Sequence, residues 1–392
     1  MSVEFTYLSQ LARTYLTGPP ATSPPPTEVD WEEVVRLLTA QNLTTSLAPL
    51  IDDDAAPESV KTRLRSQARN YSRWIALLGF ESSRALHALT EAGIRSVLLK
   101  GLALARTVYS RPEHRISVDI DILVPRSSLT QALEILRELG YTTSPTVRHP
   151  TFYEQHHFHL IVENADGVVI ELHWDLAKPE DYCQFDLDGF VARCRSIELE
   201  GCSVLVPSDE DQLLHTAYQL LCDGYADLRR VLDTALVLRR GHVDPVVLAR
   251  LARDQGLATS LWVLLELQRA TLSEPIPPEL ERAVRPAAFV RRCLKSLNLS
   301  SGSAARDAKH HTGFNQLLLC LCAPDPGTAS LELRRYVFVG RGQWLEMGYD
   351  PEAPPSRMRR IAIGARRCLS VLRILAYQAW RLTLPRDSSH GR

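Results

Sequence analysis

The chain has 392 residues, 45% apolar and 23% charged, with a net charge of −1, the balance of a folded protein with two or three packed units. So small a total charge excludes a global field that would draw the chain to nucleic acid or a membrane surface. Eight cysteines without a Cys-x-x-Cys pair, no amino-terminal apolar signal segment and no apolar run near the roughly eighteen residues of a membrane span point to reduced thiols in a cytoplasmic protein, not to a disulfide framework or zinc ribbon.

Residues 1–17 suit a short helix, and the Pro-rich spacer GPPATSPPPTE at 18–28 breaks it. Asp30 with Glu33 makes a capping-box-like start, and Trp31, Val34, Val35 and Leu38 recur at helical spacing, so 31–41 is a predicted amphipathic helix. A longer helix is predicted over 58–92, with Val60, Leu64, Ala68, Tyr71, Ile75 and Leu78 on one stripe and Gly93 at its end. The period then changes. A strand at 94–99, a helix at 101–110, a strand at 116–124 and a helix at 128–139, capped by Ser128 with Gln131 and closed by Gly140, come next. Two strands, 157–163 and 168–174, meet across Asn164-Ala165-Asp166-Gly167, a hairpin-like turn.

The alternating stretch 196–206 extends or borders that sheet, and from Ser208 the periodicity is helical over 209–223, 225–239, 244–255 and 258–272. PIPP at 275–278 marks a boundary; beyond it lie a helix near 279–298, a polar stretch at 300–311, an apolar segment at 314–322 and a basic amphipathic segment near 357–383. The expected class is α+β, a mixed sheet with helices on one side, flanked by amino-terminal and carboxy-terminal helical regions.

The chemistry concentrates in VLLKGLALARTVYSRPEHRISVDIDILV, residues 97–124. Asp119 and Asp121 lie two apart on a strand, hence on one face and roughly 6.6 Å apart along the backbone. Adjacent buried carboxylates cost several kcal/mol unless paired or bound to a metal, so a divalent cation is expected. Gly101 opens a helix after a strand, where free N–H groups suit an anion such as phosphate, with Lys100 and Arg115 as further positive charge for a polyphosphate. Two magnesium ions held for phosphoryl-type transfer call for a third acid. Glu171, in the second hairpin strand, is the best candidate and Asp175 the fallback; the alternative for Glu171 is an edge-strand acid in water.

LLKG, the run RISVDIDILV (115–124), LGY (139–141) and IELHWDL (170–176) together resemble the bacterial uncharacterised nucleotidyltransferase family of the polymerase-beta-like superfamily. The resemblance extends from the DW start at 30–31 to YADLRRVLDTALVL at 225–238 and covers roughly 28–272. Leu102 stands where the wider superfamily carries a small polar residue. The resemblance implies a sheet-and-helix nucleotidyltransferase core, with Asp119, Asp121 and Glu171 as metal ligands and catalytic carboxylates, and Lys100, Gly101 and Arg115 toward the nucleotide. It implies transfer of a nucleotidyl group from a nucleoside triphosphate, ATP favoured, to a small-molecule or peptide acceptor. On this reading the chain divides into an amino-terminal segment with spacer (1–29), a helical region (30–93), the nucleotidyltransferase core (94–207), a second helical region (208–274) and a carboxy-terminal region with a basic tail (275–392).

Other features weigh less. His156, His157 and His159 look like a metal cluster, but no spaced Cys or His set accompanies them, so zinc is not expected. His157 and His159 share a strand face that approaches the site, as do His173 and Trp174 beside Glu171; Trp174 reads as a core aromatic before a base-stacking platform. His114 reads as a loop residue, and Cys320 and Cys322 as buried thiols. Asp227–Arg230 and Arg229–Asp233 are expected as salt bridges at helical spacing before any contact with nucleotide. Residues 353–392 carry nine Arg against one acid, Asp387, read first as a solvated helix face and otherwise as a grip for an acidic partner, a membrane surface or RNA. The rival functions are an RNA- or protein-modifying transferase of toxin-antitoxin type and a non-catalytic nucleotide-binding scaffold.

Overall fold

The computed structural model describes residues 2–18, 25–26, 28–52, 55–145, 147, 150–223, 227–296, 312–337 and 356–369. Helix α1 (Val3–Thr17) starts where the Ser2 hydroxyl accepts from the Phe5 N–H, and Gly18 follows it at φ 79°. Helix α2 (Trp31–Ala40) is capped as expected at Asp30, which accepts from the Glu32 and Glu33 N–H groups at 3.0 and 3.3 Å. The short α3 (Thr44–Leu47) leads to α4 (Glu58–Glu91), which runs for 34 residues before Gly93 turns the chain at φ 76°, a conformation that glycine adopts without steric cost.

The sheet region then unfolds in order: β1 (Val97–Leu98), α5 (Lys100–Thr107), β2 (Ile120–Leu123), α6 (Leu129–Glu138), β3 (Thr142–Thr143), α7 (Pro150–His156), β4 (His159–Glu163), β5 (Val169–His173), α8 (Leu187–Arg193), β6 (Arg195–Leu199) and β7 (Cys202–Val206). The strands form one sheet in the order β3-β4-β5-β2-β1-β7-β6. Only β2 with β5 and β1 with β7 run parallel, so the sheet is mixed and the class is α+β.

Several expectations are refined. The expected strand 116–124 begins only at Ile120, because the residues before it are held elsewhere: the Trp74 indole donates to the Ser117 carbonyl at 3.2 Å, and Arg115 turns to Asp233. The 94–99 strand shortens to two residues. Ser128 makes no side-chain cap for α6, since at φ −100°, ψ 2° it ends a 3-10 turn and lacks the extended backbone that an N-cap needs. The expected hairpin is present, with the Asn164 side chain accepting from the Asp166 and Val168 N–H groups at 3.1 and 2.9 Å. The stretch 196–206 is itself a hairpin, β6 with β7, turning at Glu200 and Gly201, both at positive φ.

Alternation along the strands divides two cores. Leu98, Ile120, Ile122, Leu160, Val162, Ile170 and Leu172 face one core with Leu86 and Leu89 of α4 and Leu136 of α6. Val97, Leu99 and Leu123 face the other, which is built mainly from helices. Helices therefore cover both faces of the sheet, where the sequence suggested one. The second core draws on α9 (Asp209–Asp223), α10 (Leu228–Arg240), α11 (Pro245–Asp254), α12 (Ala258–Leu272) and α13 (Pro278–Val284), followed by α14 (Ala288–Ser296), α15 (Thr312–Cys322) and α16 (Pro326–Val337).

Helix α1 packs on α10 and α12, and Arg13 donates to the Thr271 carbonyl at 2.8 Å. Ile276, Leu280 and Val284 continue this core past 275–278. Residues 357–369 form a helix whose Arg357, Arg359, Arg360 and Arg366 are exposed. The rest of the Arg-rich tail, most of the spacer at 18–28 and the polar stretch at 300–311 lie outside the described residues.

Ile122 is fully buried on β2, so Ile122→Ala removes three carbons from a packed wall. It is expected to cost about 2–5 kcal/mol, read as a lower urea midpoint with an unchanged m-value.

Candidate active site

The parallel register sets Asp121 directly beside Glu171 and Leu123 beside His173, while the antiparallel partner β4 sets His159 opposite His173. Since Ile120, Ile122, Ile170 and Leu172 all face the apolar core, alternation sends Asp121, Glu171, His173 and His159 together to the opposite face. Asp119, one residue before β2, shares the parity of Asp121 and is half-buried.

The cation of this cluster is Lys100. Its Nζ lies 2.5 Å from Asp121 Oδ1 and 3.1 Å from Glu171 Oε2. His173 Nε2 lies 3.0 Å from the same Asp121 oxygen and 3.3 Å from Glu171 Oε2. Lys100 reaches this point from a left-handed backbone at φ 48°, directly after Leu99, whose N–H donates to the Asp121 carbonyl at 2.9 Å. A non-glycine residue in that region carries backbone strain, here at the turn from β1 into α5.

Charge and burial compete throughout. Burial works to discharge Lys100, but Asp121 and Glu171 outweigh it and hold the ammonium above the ordinary lysine range. Burial also works to protonate Glu171, yet the hydrogen bond from His173 and the charge of Lys100 prevail and its pKa falls below the usual value. Asp119 goes the other way, pushed up to about 7 by burial and then by the charges of Asp121 and Glu171. His159 is pushed down to about 3 by burial and then by His173, which keeps its imidazole neutral.

Gly101 lies in the first turn of α5, where a Cβ would stand 2.2 Å from Ser117 Oγ and 3.5 Å from Arg115 Nη1. Arg115 was expected to be free for a polyphosphate, but its buried guanidinium holds Asp233 at 2.9 and 3.0 Å and its own Ile116 carbonyl at 2.7 Å. Tyr109 donates to the same Asp233 at 2.6 Å. Burial opposes the Arg115 charge, and Asp233 more than offsets it. Between α5 and helices α9 and α10 runs a cleft lined by Lys100, Arg115, Gln212, His215, Arg229 and Arg230, among others.

The expected Arg229–Asp233 pair does not form, because Asp233 is taken by Arg115. Asp227 instead caps α10, accepting from the Arg230 N–H at 2.8 Å, and the Arg230 guanidinium pairs with Asp223. Asp175, the fallback acid, accepts from the Leu176 N–H at 2.7 Å. Trp174 is buried in the sheet core beneath Arg126. His114 bonds the Tyr15 hydroxyl, His156 pairs with Glu180 and His157 stacks on Tyr153.

Which residues could hold a metal follows from the donors. Asp119, Asp121 and Glu171 offer only oxygen, the donor magnesium takes, and the ammonium between two of them shows that this spot demands positive charge. His159, Glu171 and His173 also have ligand atoms within 4.8 Å of one another, a nitrogen-containing set suited to borderline ions such as zinc. The sequence signal for His173 was its place two residues after Glu171 on one strand face; its contact with Asp121 depends on strand pairing that no spacing reveals.

Gly101→Ala is expected to destabilise the protein by about 1–3 kcal/mol through overpacking. Adding Ser117→Gly should restore much of that, so chemical unfolding of the two single variants and the double variant would show a favourable coupling; additive effects would mean the close approach is relieved elsewhere.

A sequence profile of the uncharacterised nucleotidyltransferase family matches residues 27–273. No match was found among curated proteins. Among solved structures, the chain is similar at 15% identity and a TM-score of 0.31 to the antibiotic-resistance factor ANT(2'')-Ia, over 52% of this chain and 95% of that one. It is similar at 14% identity and a TM-score of 0.31 to an antigenic nucleotidyltransferase-like protein from Paracoccidioides brasiliensis, over 53% of this chain and 92% of that one. Likenesses this distant carry no argument about the chemistry.

Proposed function

The chain belongs to the uncharacterised nucleotidyltransferase family, and from that premise we propose a magnesium-dependent enzyme that moves a nucleotidyl group from a nucleoside triphosphate, ATP favoured, to a small-molecule or peptide acceptor. The observation that carries the reading is the pairing of buried Asp121 with half-buried Glu171 across a parallel register, bridged by one ammonium group and flanked by Asp119.

Asp119, Asp121 and Glu171 are the proposed ligands for two magnesium ions. Bound there, magnesium supplies charge neutralisation on the leaving pyrophosphate and acidifies the attacking hydroxyl. His173 positions both Asp121 and Glu171 through one nitrogen. Lys100, released from the carboxylates, and the N–H groups of the first turn at Gly101 face the phosphates. Arg115 adds positive charge beside Gly101 from its anchored position. Glu171 is also placed to accept the acceptor proton.

Further features support the setting. All eight cysteines are free thiols, in keeping with the cytoplasm, and no helix among the described residues is long and apolar enough to cross a membrane. An RNA acceptor, the second reading, would rest on the exposed arginines of 357–369.

The test is calorimetric titration of each nucleoside triphosphate with and without magnesium, paired with an assay for pyrophosphate release. The reading expects magnesium-dependent binding that Asp119→Asn with Asp121→Asn weakens by more than the roughly 10–100-fold that loss of an outer-sphere partner costs. Unchanged magnesium-dependent binding in the double variant would overturn it.

A further inference from the structure

The cleft beside the carboxylates carries more positive charge than its walls neutralise. Four cationic side chains, Lys100, Arg115, Arg229 and Arg230, line it against one carboxylate, Asp233. Three of the four are committed: Lys100 to Asp121 and Glu171, Arg115 to Asp233, and Arg230 to Asp223.

Arg229 is different. Among the described residues its one ion-pair contact is a long one, 3.4 Å from Nη2 to Asp227 Oδ2, and the same Asp227 is already engaged as the N-cap of α10. Its Nε is buried with no hydrogen-bond partner among the described residues. Burial, with the neighbouring Arg115 and Arg230, lowers its pKa despite Asp227 and Asp233. Arg229 is near enough to Asp119 for its charge to oppose protonation of that carboxylate. A half-buried guanidinium whose Nε–H is buried and idle, with cations beside it, is costly in a protein that gains nothing from it. An arriving anion removes the cost, and a planar fork of donors matches phosphate oxygens. The cleft offers about 30 Å³ of accessible space, roughly the room of two or three waters.

We propose that Arg229 is a phosphate-binding residue of this cleft, donating to the oxygens of the triphosphate chain on the side that leaves as pyrophosphate. The inference deepens the nucleotidyltransferase reading and rests on it for the identity of the ligand, although the anion site itself rests on Arg229 and the cleft.

Inorganic pyrophosphate is the probe, titrated calorimetrically into the full chain in the presence of a chelator, so that no divalent ion takes part. The parent protein is expected to bind it. Arg229→Gln should weaken binding about ten- to a hundred-fold, the size of one charge-assisted hydrogen bond, and Arg229→Lys should fall between. Without ligand, Arg229→Gln should melt no lower than the parent, because one long ion-pair contact is all that the lost charge had against its burial and its cationic neighbours; with pyrophosphate present only the parent and the lysine variant should be stabilised. Pyrophosphate binding by Arg229→Gln equal to the parent's, or no binding by the parent, overturns the proposal. So does a ligand-free melting point well below the parent's, the mark of a structural arginine. Asp119→Asn with Asp121→Asn separates the two readings: Arg229-dependent pyrophosphate binding that persists while magnesium-nucleotide binding never appears in any variant leaves the anion site standing and removes the metal assignment.

Discussion

One ammonium group between a buried and a half-buried carboxylate organises this protein. Asp121 and Glu171 stand side by side because β2 and β5 run parallel in that register, and like charges so placed repel strongly in a low-dielectric setting. Lys100 answers them from the turn between β1 and α5, at the expense of a left-handed backbone. The turn has little freedom to do otherwise. Leu99 is tied to the Asp121 carbonyl, and Gly101 packs so close to Ser117 that a methyl group would clash.

The sheet makes this arrangement possible by separating its faces. Isoleucine and leucine from β2, β4 and β5 fill a dry core against α4 and α6, so the strands are fixed by burial worth roughly 1.5–3 kcal/mol per large aliphatic side chain. The opposite face changes character along its width. At β1 it carries Val97 and Leu99, which join the helical core; at β2, β5 and β4 it carries acids and histidines. The Arg115–Asp233 pair, with Tyr109, links the segment before β2 to α10, and the cleft lies where these parts meet.

Much of this was legible in the sequence. Period-3.6 patterns located the long helix and those after Ser208, and the Asn-Ala-Asp-Gly turn announced the β4–β5 hairpin, since its side-chain and glycine chemistry is local. The acids were legible because charges flanked by Val, Ile and Leu demand an explanation. What escaped was non-local. That Lys100 bridges the carboxylates, that Asp233 belongs to Arg115 and not to Arg229 four residues earlier, and that His173 reaches Asp121 all depend on which strands and helices become neighbours. The early start expected for β2 failed because Trp74, far away in the chain, holds Ser117.

On the proposed function, Lys100 holds a place between the carboxylates that a metal–nucleotide complex takes over. A crystal structure with manganese and a non-hydrolysable nucleoside triphosphate tests this most directly, since manganese is visible by anomalous scattering. An anomalous peak is expected among the carboxylates of Asp119, Asp121 and Glu171, with the Lys100 ammonium moved onto the phosphates. A structure with nucleotide bound, Lys100 still bridging Asp121 and Glu171, and the ion elsewhere would contradict it.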